Sequence, residues 1–273
     1  MLVSAVLKLK TDVALTLPAT LGRAANACFL GMVRSRNPEL ADKIHEMKKN
    51  KPLTVSPLQG SFSPENGLIR LSPGNEYWIR FTSIDESLTE VVLSICQHPP
   101  DTIVLANRTL NVLQFATDAA DHPWARTARW EDLYNKWMVE QDGCSNKIRM
   151  QFLSPTTFRS GGRNLPFPLM QLVFLNLVSK WNQYSPIFVG DEEVHSLVDA
   201  KGTLSRYESR TKMYDFGPYR QVGFVGECEY GLFKLSVEEE EWLKVFHMLA
   251  DFAFFAGVGY KTTMGMGQAR KVD

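Results

Sequence analysis

The chain has 273 residues, of which 44% are hydrophobic and 22% are charged, a composition typical of soluble globular proteins. That length predicts two modest domains rather than one compact unit. The 30 basic and 30 acidic residues give a net charge of zero, which argues against a protein that binds nucleic acid over its whole surface. A local basic path on a neutral protein remains compatible with this balance.

The cysteines and the apolar segments indicate the compartment. Cys28, Cys96, Cys144 and Cys228 are scattered and form no C-x-x-C pair. Their spacing argues against a zinc ribbon and against a disulfide framework, and it fits a reducing cytosol. No apolar segment approaches membrane-spanning length, because Asp251 interrupts the best candidate. We therefore expect a cytoplasmic protein without a membrane partner.

The first half of the chain shows a strand and helix pattern of the βαββαβ type. The predicted elements are a strand at Val3 to Leu9, a helix starting at Pro18, a helix capped by Asn37 with Pro38 at its first position, strands at Leu53 to Leu58 and Glu76 to Thr82, a helix at Leu88 to Ile95, and strands at Ile103 to Leu105 and Leu110 to Phe115. This order predicts a ferredoxin-like, RNA-recognition-type half.

The second half repeats the pattern after a connector. The predicted elements are a tryptophan-rich helix at Pro123 to Met138, a polar break at Glu140 to Asn146, a strand from Lys147 to Phe152 with one apolar and one basic face, a helix at Pro168 to Trp181, an acidic loop at Asp191 to His195, a hairpin of Tyr207 to Tyr214 with Gln221 to Leu235, and a last helix opened by the capping box Ser236 to Glu239. We predict an α+β protein with two tandem ferredoxin-like domains, residues 1–140 and 141–273.

A glycine-rich segment follows the last predicted helix. It contains Gly257, Gly259, Gly265 and Gly267 in two G-x-G pairs. Glycine lacks a Cβ atom, so its backbone can adopt positive φ and approach a ligand closely. Successive N–H groups in such a turn suit phosphate oxygens, although a tight structural turn is the plainer interpretation. The spacing matches neither the P-loop nor the dinucleotide-binding fingerprint.

His45 is the strongest candidate for proton transfer. The apolar stripe of its helix consists of Leu40, Ile44 and Met47. At about 100° per residue, His45 points away from that stripe, toward the side of Lys48 and Lys49. Imidazole is the side chain that ordinarily titrates near neutral pH, which suits general acid or base catalysis. Lys51 follows and places a positive charge nearby. The alternative is a solvent-exposed histidine in a basic turn.

Four segments together resemble one known family. They are Ile44-His45-Glu46 with Lys51 to Ser56, Phe152 to Arg159 with Pro166-Phe167-Pro168 and Lys180-Trp181-Asn182, Gly223 to Glu227, and Gly257-Val258-Gly259 with Gly265-Met266-Gly267. In this order, over nearly the whole chain, they are similar to the CRISPR repeat-processing endoribonucleases of the Cas-six family, within the repeat-associated protein superfamily.

The resemblance implies an activity and a catalytic site. The expected reaction is cleavage of CRISPR precursor RNA within the repeat, without metal or cofactor, through attack of a ribose 2′-hydroxyl that leaves a 2′,3′-cyclic phosphate and a 5′-hydroxyl. His45 would be the general base or acid, and Lys51 would stabilise charge on the phosphate. Some members carry a tyrosine upstream of the histidine, but Leu17 to Gly31 contains none. Arg23 is therefore the candidate for the third role.

The resemblance also implies an RNA-binding surface. The expected contacts are Lys48, Lys49, Lys147, Arg149, Arg159, Arg163, Arg210, Gly257, Gly259, Lys261, Thr262, Gly265 and Gly267. For Arg149 the alternative is a solvated strand face, and for Arg159 it is an ion pair in a turn. The expected partner is CRISPR repeat RNA, with effector-complex subunits and a second copy of the chain as further candidates. A non-catalytic RNA-binding subunit and a structural subunit remain alternatives to the enzyme.

Overall fold

A computed structural model describes residues 1–272, apart from the side chains of residues 64 and 65. The chain forms two compact units of mixed α and β structure. The first comprises Met1–Thr127 and Lys261–Met266, and the second comprises Ala128–Tyr260 and the residues from Gly267 onward. Part of the glycine-rich segment thus belongs to the first unit. None of the described helices is both long and apolar enough to cross a membrane.

The first unit contains a main sheet, a small sheet and three helices. Its strands are β1 (Leu2–Lys10), β2 (Leu15–Pro18), β3 (Leu53–Val55), β4 (Gln59–Gly60), β5 (Ser63–Glu65), β6 (Leu68–Leu71), β7 (Tyr77–Ser83), β8 (Thr102–Leu105) and β9 (Arg108–Ala116), followed by β10 (Arg126–Ala128) at the unit boundary. Its helices are α1 (Gly22–Arg36), α2 (Pro38–Glu46) and α3 (Glu86–Gln97). A 3₁₀ turn at Thr262–Met264 also belongs to this unit.

The main sheet of the first unit is antiparallel, with the order β3-β7-β1-β9-β8. Its central strand β1 is buried because it has a neighbour on each side: Leu7 pairs with Ile79 and with Phe115. Helices α1 and α3 pack against the sheet, and the ring of Phe29 on α1 stacks on Phe81 with centroids 4.7 Å apart. Burial of this apolar face holds the helices in place.

Helix α2 starts where its sequence predicts. The Asn37 side chain accepts a hydrogen bond from the backbone N–H of Leu40 at 3.0 Å, and Pro38 occupies the first turn, where no intrahelical donor is lost. Ile44 is buried on the predicted stripe. The helix ends at Glu46.

The second unit contains four helices and its own sheet. Its helices are α4 (Trp130–Met138), α5 (Met170–Tyr184), α6 (Asp191–Lys201) and α7 (Glu241–Ala256). Its strands are β11 (Lys147–Thr156), β12 (Phe158–Ser160), β13 (Arg163–Leu165), β14 (Gly202–Asp215), β15 (Arg220–Leu232) and β16 (Ala269–Val272). The sheet order β14-β15-β11-β16 is antiparallel throughout, and β14 with β15 confirms the predicted long hairpin.

Aromatic packing joins the helices of the second unit to its sheet. Phe174 on α5 contacts Tyr230 of β15 and Phe246 of α7, with ring centroids 5.6 and 5.1 Å apart. Trp181, fully buried on the same helix, meets Trp130 of α4 edge to face. Such pairs add to the stability from burial itself. Helix α5 is therefore the element on which α4, α7 and the sheet all pack.

Four predicted elements are wrong. The last helix, α7, begins at Glu241 rather than at the predicted capping box Ser236 to Glu239, and its N-cap residue makes no side-chain hydrogen bond. Pro18 does not start a helix: it ends β2, which pairs with β6, and α1 begins at Gly22. The residues from Pro123 to Ala128 do not belong to the tryptophan-rich helix, which begins at Trp130. The acidic segment from Asp191 forms α6 rather than a loop, because acidic side chains in a first turn favour the positive end of the helix dipole.

Replacing the cap of α2 tests the local account of this helix. Asn37→Ala should lower the free energy of unfolding by about 1 kcal/mol, because the N–H of Leu40 then loses its acceptor. Asn37→Asp keeps an acceptor oxygen and should remain close to wild type. Urea denaturation of the three proteins measures the difference, and equal midpoints for Asn37→Ala and wild type would contradict the capping role.

Candidate functional site

His45 lies in the last turn of α2 with its side chain exposed. It is therefore off the buried stripe, as its helical position predicts. The turn that follows contains Lys48 and Lys49, both exposed, and Asn50, whose φ of 45° reverses the chain toward β3. The structure thus gathers one imidazole and two ammonium groups at the solvent-facing end of a short helix.

Lys51 fixes the end of this helix. Its Nζ donates to the carbonyl oxygens of Ile44 at 2.7 Å and of His45 at 2.9 Å. These carbonyls lie at the negative end of the helix, so the ammonium offsets their partial charge. Partial burial lowers the pKa of Lys51 below the ordinary value. The predicted charge beside His45 is present, and two of its three donors bind the helix backbone.

Arg23 lies exposed in the first turn of α1. Helix α1 packs against α2, and the 3₁₀ turn Thr262–Met264 packs against α1 and β3. The C-terminal segment Lys261–Met266 therefore lies beside elements that flank the turn after His45, within the first unit.

The base of the glycine-rich segment is closed by backbone hydrogen bonds within the second unit. The N–H of Val258 donates to the carbonyl of Gly267 at 2.9 Å. The N–H of Tyr260 donates to Thr157 at 2.7 Å, and the N–H of Gly267 donates to Pro155 at 3.1 Å. The two ends of the segment are thus tied to each other and to the end of β11.

Positive φ angles explain why glycine occupies these positions of the segment. Gly259 has a φ of 86°, and a Cβ atom there would lie 2.4 Å from the carbonyl oxygen of Thr157. Gly265 and Gly267 have φ angles of 93° and 69°. Glycine is the residue that adopts such angles without steric cost. The structural-turn interpretation therefore accounts for these positions.

The sequence suggested that backbone N–H groups of this segment are available to phosphate oxygens, but three of them bind other acceptors. Those of Gly257, Gly259 and Gly267 donate to acceptors of the chain itself. Gly265 is buried, and Thr262 retains only 7% of its accessible surface. Lys261, which is half-buried and has a φ of 60°, is the cation between the two G-x-G pairs.

Sequence reasoning assigned no role to Lys180, which the structure places at the end of α7. Its Nζ donates to the carbonyl oxygens of Ala256 at 2.8 Å and of Gly257 at 3.1 Å. The side chain is 3% exposed, and burial lowers its pKa to about 7. The available signal was its place on the apolar face of α5, three residues after Leu177.

Acidic side chains balance the basic face of β11. The strand alternates as predicted, with Ile148 buried and its neighbours exposed. Lys147 pairs with Glu229 at 3.1 Å, and Arg149 pairs with Glu227 at 3.0 Å. Both acids lie on β15, and hydrogen bonds from Ser205 and Lys147 hold the pKa of Glu229 below its usual range. The cross-strand neighbours make this face mixed rather than basic.

Arg159 is exposed and lies against the base of the glycine-rich segment. Its Nη1 donates to the hydroxyl of Tyr260 at 3.2 Å, and its guanidinium carbon is 5.6 Å from the centroid of that ring. Arg163 on β13 and Arg210 on β14 are also exposed. Among the ion pairs between described side chains, none includes these three arginines.

The described part of the chain holds no group of three or more His, Cys, Asp or Glu residues that could share a metal ion. In helix α6, which contains the acidic segment, His195 pairs with Asp199 at 3.2 Å.

Both halves of the chain match descriptions of one protein family. The family description "CRISPR Cas6 N-terminal domain" matches residues 1–135, and "CRISPR-associated endoribonuclease Cas6" matches residues 150–269. A CRISPR-associated endoribonuclease Cas6 of Mycobacterium tuberculosis strain CDC 1551 is 30% identical over 129 residues, 46% of this chain and 39% of that protein. That of Streptococcus thermophilus is 28% identical over 42% of this chain and 46% of that protein. The chain thus matches less than half the length of these curated relatives.

Solved structures match over the full length. The Cas6 (TTHB231) product complex superimposes with a TM-score of 0.79 and 28% identity, covering 100% of both chains. Thermus thermophilus Cas6 (TTHB231) gives a TM-score of 0.73 and 26% identity, covering 100% of this chain and 98% of that one.

Lys180 makes stability depend on pH in a defined direction. Its folded pKa of about 7 lies below the 10.5 of an ordinary lysine, so the unfolded chain binds more protons between these values. The free energy of unfolding of wild type, relative to Lys180→Met, should therefore rise as the pH increases above about 7. Urea denaturation of both proteins at about pH 6, 7.5 and 9 measures this difference. A difference that stays constant with pH would contradict the assignment.

Proposed function

Because the chain belongs to the Cas6 family of CRISPR-associated endoribonucleases, we propose that it cleaves CRISPR precursor RNA within the repeat to release guide RNA. The family matches to both units and the full-length likeness to the Cas6 (TTHB231) product complex support this activity. The observation that carries the proposal is His45, exposed at the end of α2 with its own carbonyl held by Lys51.

The proposal includes the topology of both units. We infer that each is a ferredoxin-like domain. The order β3-β7-β1-β9 in the first unit and β14-β15-β11-β16 in the second support this, since both are antiparallel and each places the first and third strands of a βαββαβ unit at the centre. In both units, helices that connect the strands pack against the sheet.

The proposed reaction is an internal transesterification of RNA. The ribose 2′-hydroxyl loses its proton and attacks the adjacent phosphorus, while the 5′-oxygen of the next nucleotide leaves and takes up a proton. The products are a 2′,3′-cyclic phosphate and a 5′-hydroxyl, and neither a redox change nor a metal is needed. His45 serves as the general base or acid, since imidazole can hold or release a proton near neutral pH.

Lys51 has two parts in this proposal. It holds the backbone of the helix end that carries His45, and its remaining N–H donor is the group proposed to stabilise charge that develops on the phosphate. Preorganised donors are effective because they need no rearrangement during the reaction. Arg23 is the candidate for the third catalytic role, supported by its exposure in the first turn of α1.

Each unit offers cations for the RNA backbone. In the first unit these are Lys48, Lys49 and Lys261, and in the second they are Arg159, Arg163 and Arg210. Lys147 and Arg149 are weaker candidates, because Glu229 and Glu227 already balance them. The buried residues of the glycine-rich segment shape its backbone and leave Lys261 as its phosphate contact.

A cleavage assay tests the activity and the role of His45 together. In EDTA, wild type should cut the CRISPR repeat RNA of its own genome at one position, and a 2′-deoxy substitution upstream of that bond should abolish the cut. His45→Ala should reduce the single-turnover rate by about 10²- to 10⁴-fold with RNA affinity retained. His98→Ala is the matched control, because His98 is also exposed at a helix end.

Three outcomes would contradict the proposal. Cleavage of the 2′-deoxy RNA would exclude internal attack, and full activity of His45→Ala would remove its residue assignment. Tight binding without any cleavage by wild type would identify a non-catalytic RNA-binding subunit instead.

The charge environment of the arginines predicts unequal contributions to binding. Arg159→Ala should weaken binding of the uncleavable 2′-deoxy repeat RNA more than Arg149→Ala does, because Glu227 already neutralises Arg149. Loss of one phosphate contact should reduce the slope of log K against log salt by about 0.7 to 0.9. Fluorescence anisotropy at several salt concentrations measures both quantities. Equal losses for the two variants would show that the ion pair on β11 opens in the complex.

A further inference from the structure

Helix α5 directs two polar side chains at the base of the glycine-rich segment. Oδ1 of Asn176 accepts a hydrogen bond from the N–H of Gly259 at 2.9 Å. One turn further, Nζ of Lys180 donates to the carbonyls of Ala256 and Gly257. Residues four apart on a helix share one face, so a single face of α5 holds both the end of α7 and the first turn after it.

Lys180 occupies an environment that does not favour a lysine. It is 3% exposed, and no carboxylate pairs with it among the ion pairs of residues 1–272. Burying an ammonium group is costly unless its donors are satisfied. Both recorded acceptors are carbonyls at the C-terminal end of α7, where the helix dipole favours a cation. The evident role of this side chain is to hold the point at which the chain leaves α7.

Asn176 binds the backbone of Gly259, two residues further along the same turn. Gly259 is confined on its other side by the carbonyl of Thr157, which lies 2.4 Å from where a Cβ atom would be. The hydrogen bond from Gly259 to Asn176 and the bond from Tyr260 to Thr157 therefore fix two successive peptide groups. The side chain that follows is Tyr260, whose hydroxyl accepts the hydrogen bond from Arg159.

We propose that Asn176 and Lys180 are positioning residues for RNA binding: they hold Gly257–Tyr260 so that Tyr260 and Arg159 are presented to the RNA backbone. This inference rests on the proposed function. Neither side chain takes part in proton transfer, because both are committed to backbone groups of the chain. Their loss should therefore affect affinity rather than the rate of the bound complex.

Asn176→Leu is the main test, since leucine has a similar size and lacks the acceptor. Asn176→Asp is the conservative variant, because a carboxylate oxygen can accept the same hydrogen bond. Asn182→Leu is the matched control: Asn182 lies on the same helix and makes two hydrogen bonds to Val189, away from the glycine-rich segment. Thermal denaturation shows that each variant is folded, and Lys180→Met is added if it folds.

Three readouts separate positioning from general stability. Hydrogen exchange of the Gly259 amide should accelerate in Asn176→Leu, and not in Asn176→Asp or Asn182→Leu. The Kd for 2′-deoxy repeat RNA should rise about tenfold in Asn176→Leu, the effect of one lost hydrogen bond, and stay within about threefold in the other two. The single-turnover cleavage rate at saturating RNA should remain within about threefold of wild type in all three.

Two results would overturn the inference. One is wild-type affinity in Asn176→Leu despite faster exchange at Gly259, which would make the hydrogen bond purely structural. The other is an equal loss of affinity in Asn182→Leu, which would indicate general destabilisation. Failure of the proposed function is distinguishable from failure of this inference. The former appears as absence of cleavage by wild type, whereas hydrogen exchange at Gly259 and the affinity for RNA still test positioning.

Discussion

The candidate site depends on one interaction, the pair of hydrogen bonds from the ammonium of Lys51 to the carbonyls of Ile44 and His45. The last carbonyls of a helix lack partners within the helix, and a short helix such as α2 frays readily at that end. Lys51 satisfies two of them and links α2 to the start of β3. His45 thus gains a defined backbone position while its ring stays in solvent, which is the arrangement that a proton-transfer group acting on a large substrate requires.

The second unit contains a similar interaction between a lysine and the carbonyls at the end of a helix. Lys180 binds the final carbonyls of α7 as Lys51 binds those of α2, but it does so in the interior. In both cases a lysine binds the last carbonyls of a helix immediately before a turn to which we propose a function. The two lysines differ in exposure: Lys51 is partly exposed, whereas Lys180 is buried. We therefore propose a chemical role for Lys51 and support of the glycine-rich segment for Lys180.

Local signals in the sequence predicted individual elements well. The cap formed by Asn37 and the alternation along β11 depend on neighbours within a few residues, and the structure confirms both. Pairing between distant segments could not be predicted: β2 includes Pro18 only because β6 lies beside it. The same limit applies to charge, since Arg149 meets Glu227 diagonally across the pairing of β11 with β15, where Glu227 lies opposite Gln151. Helical periodicity predicted the exposure of His45. It could not predict which acceptors the Lys51 ammonium binds, because a flexible side chain can reach several of them.

The proposed reaction is attack by a ribose 2′-hydroxyl on the adjacent phosphorus, without a metal. Mass spectrometry of the upstream RNA fragment, released by wild type in EDTA, tests this most directly because the mass identifies the terminal phosphate group that the reaction leaves. The account predicts a fragment that ends in a 2′,3′-cyclic phosphate, with a 5′-hydroxyl on the downstream fragment. An upstream fragment ending in a 3′-hydroxyl, with the phosphate on the downstream fragment, would require attack by water on the opposite side and would contradict it.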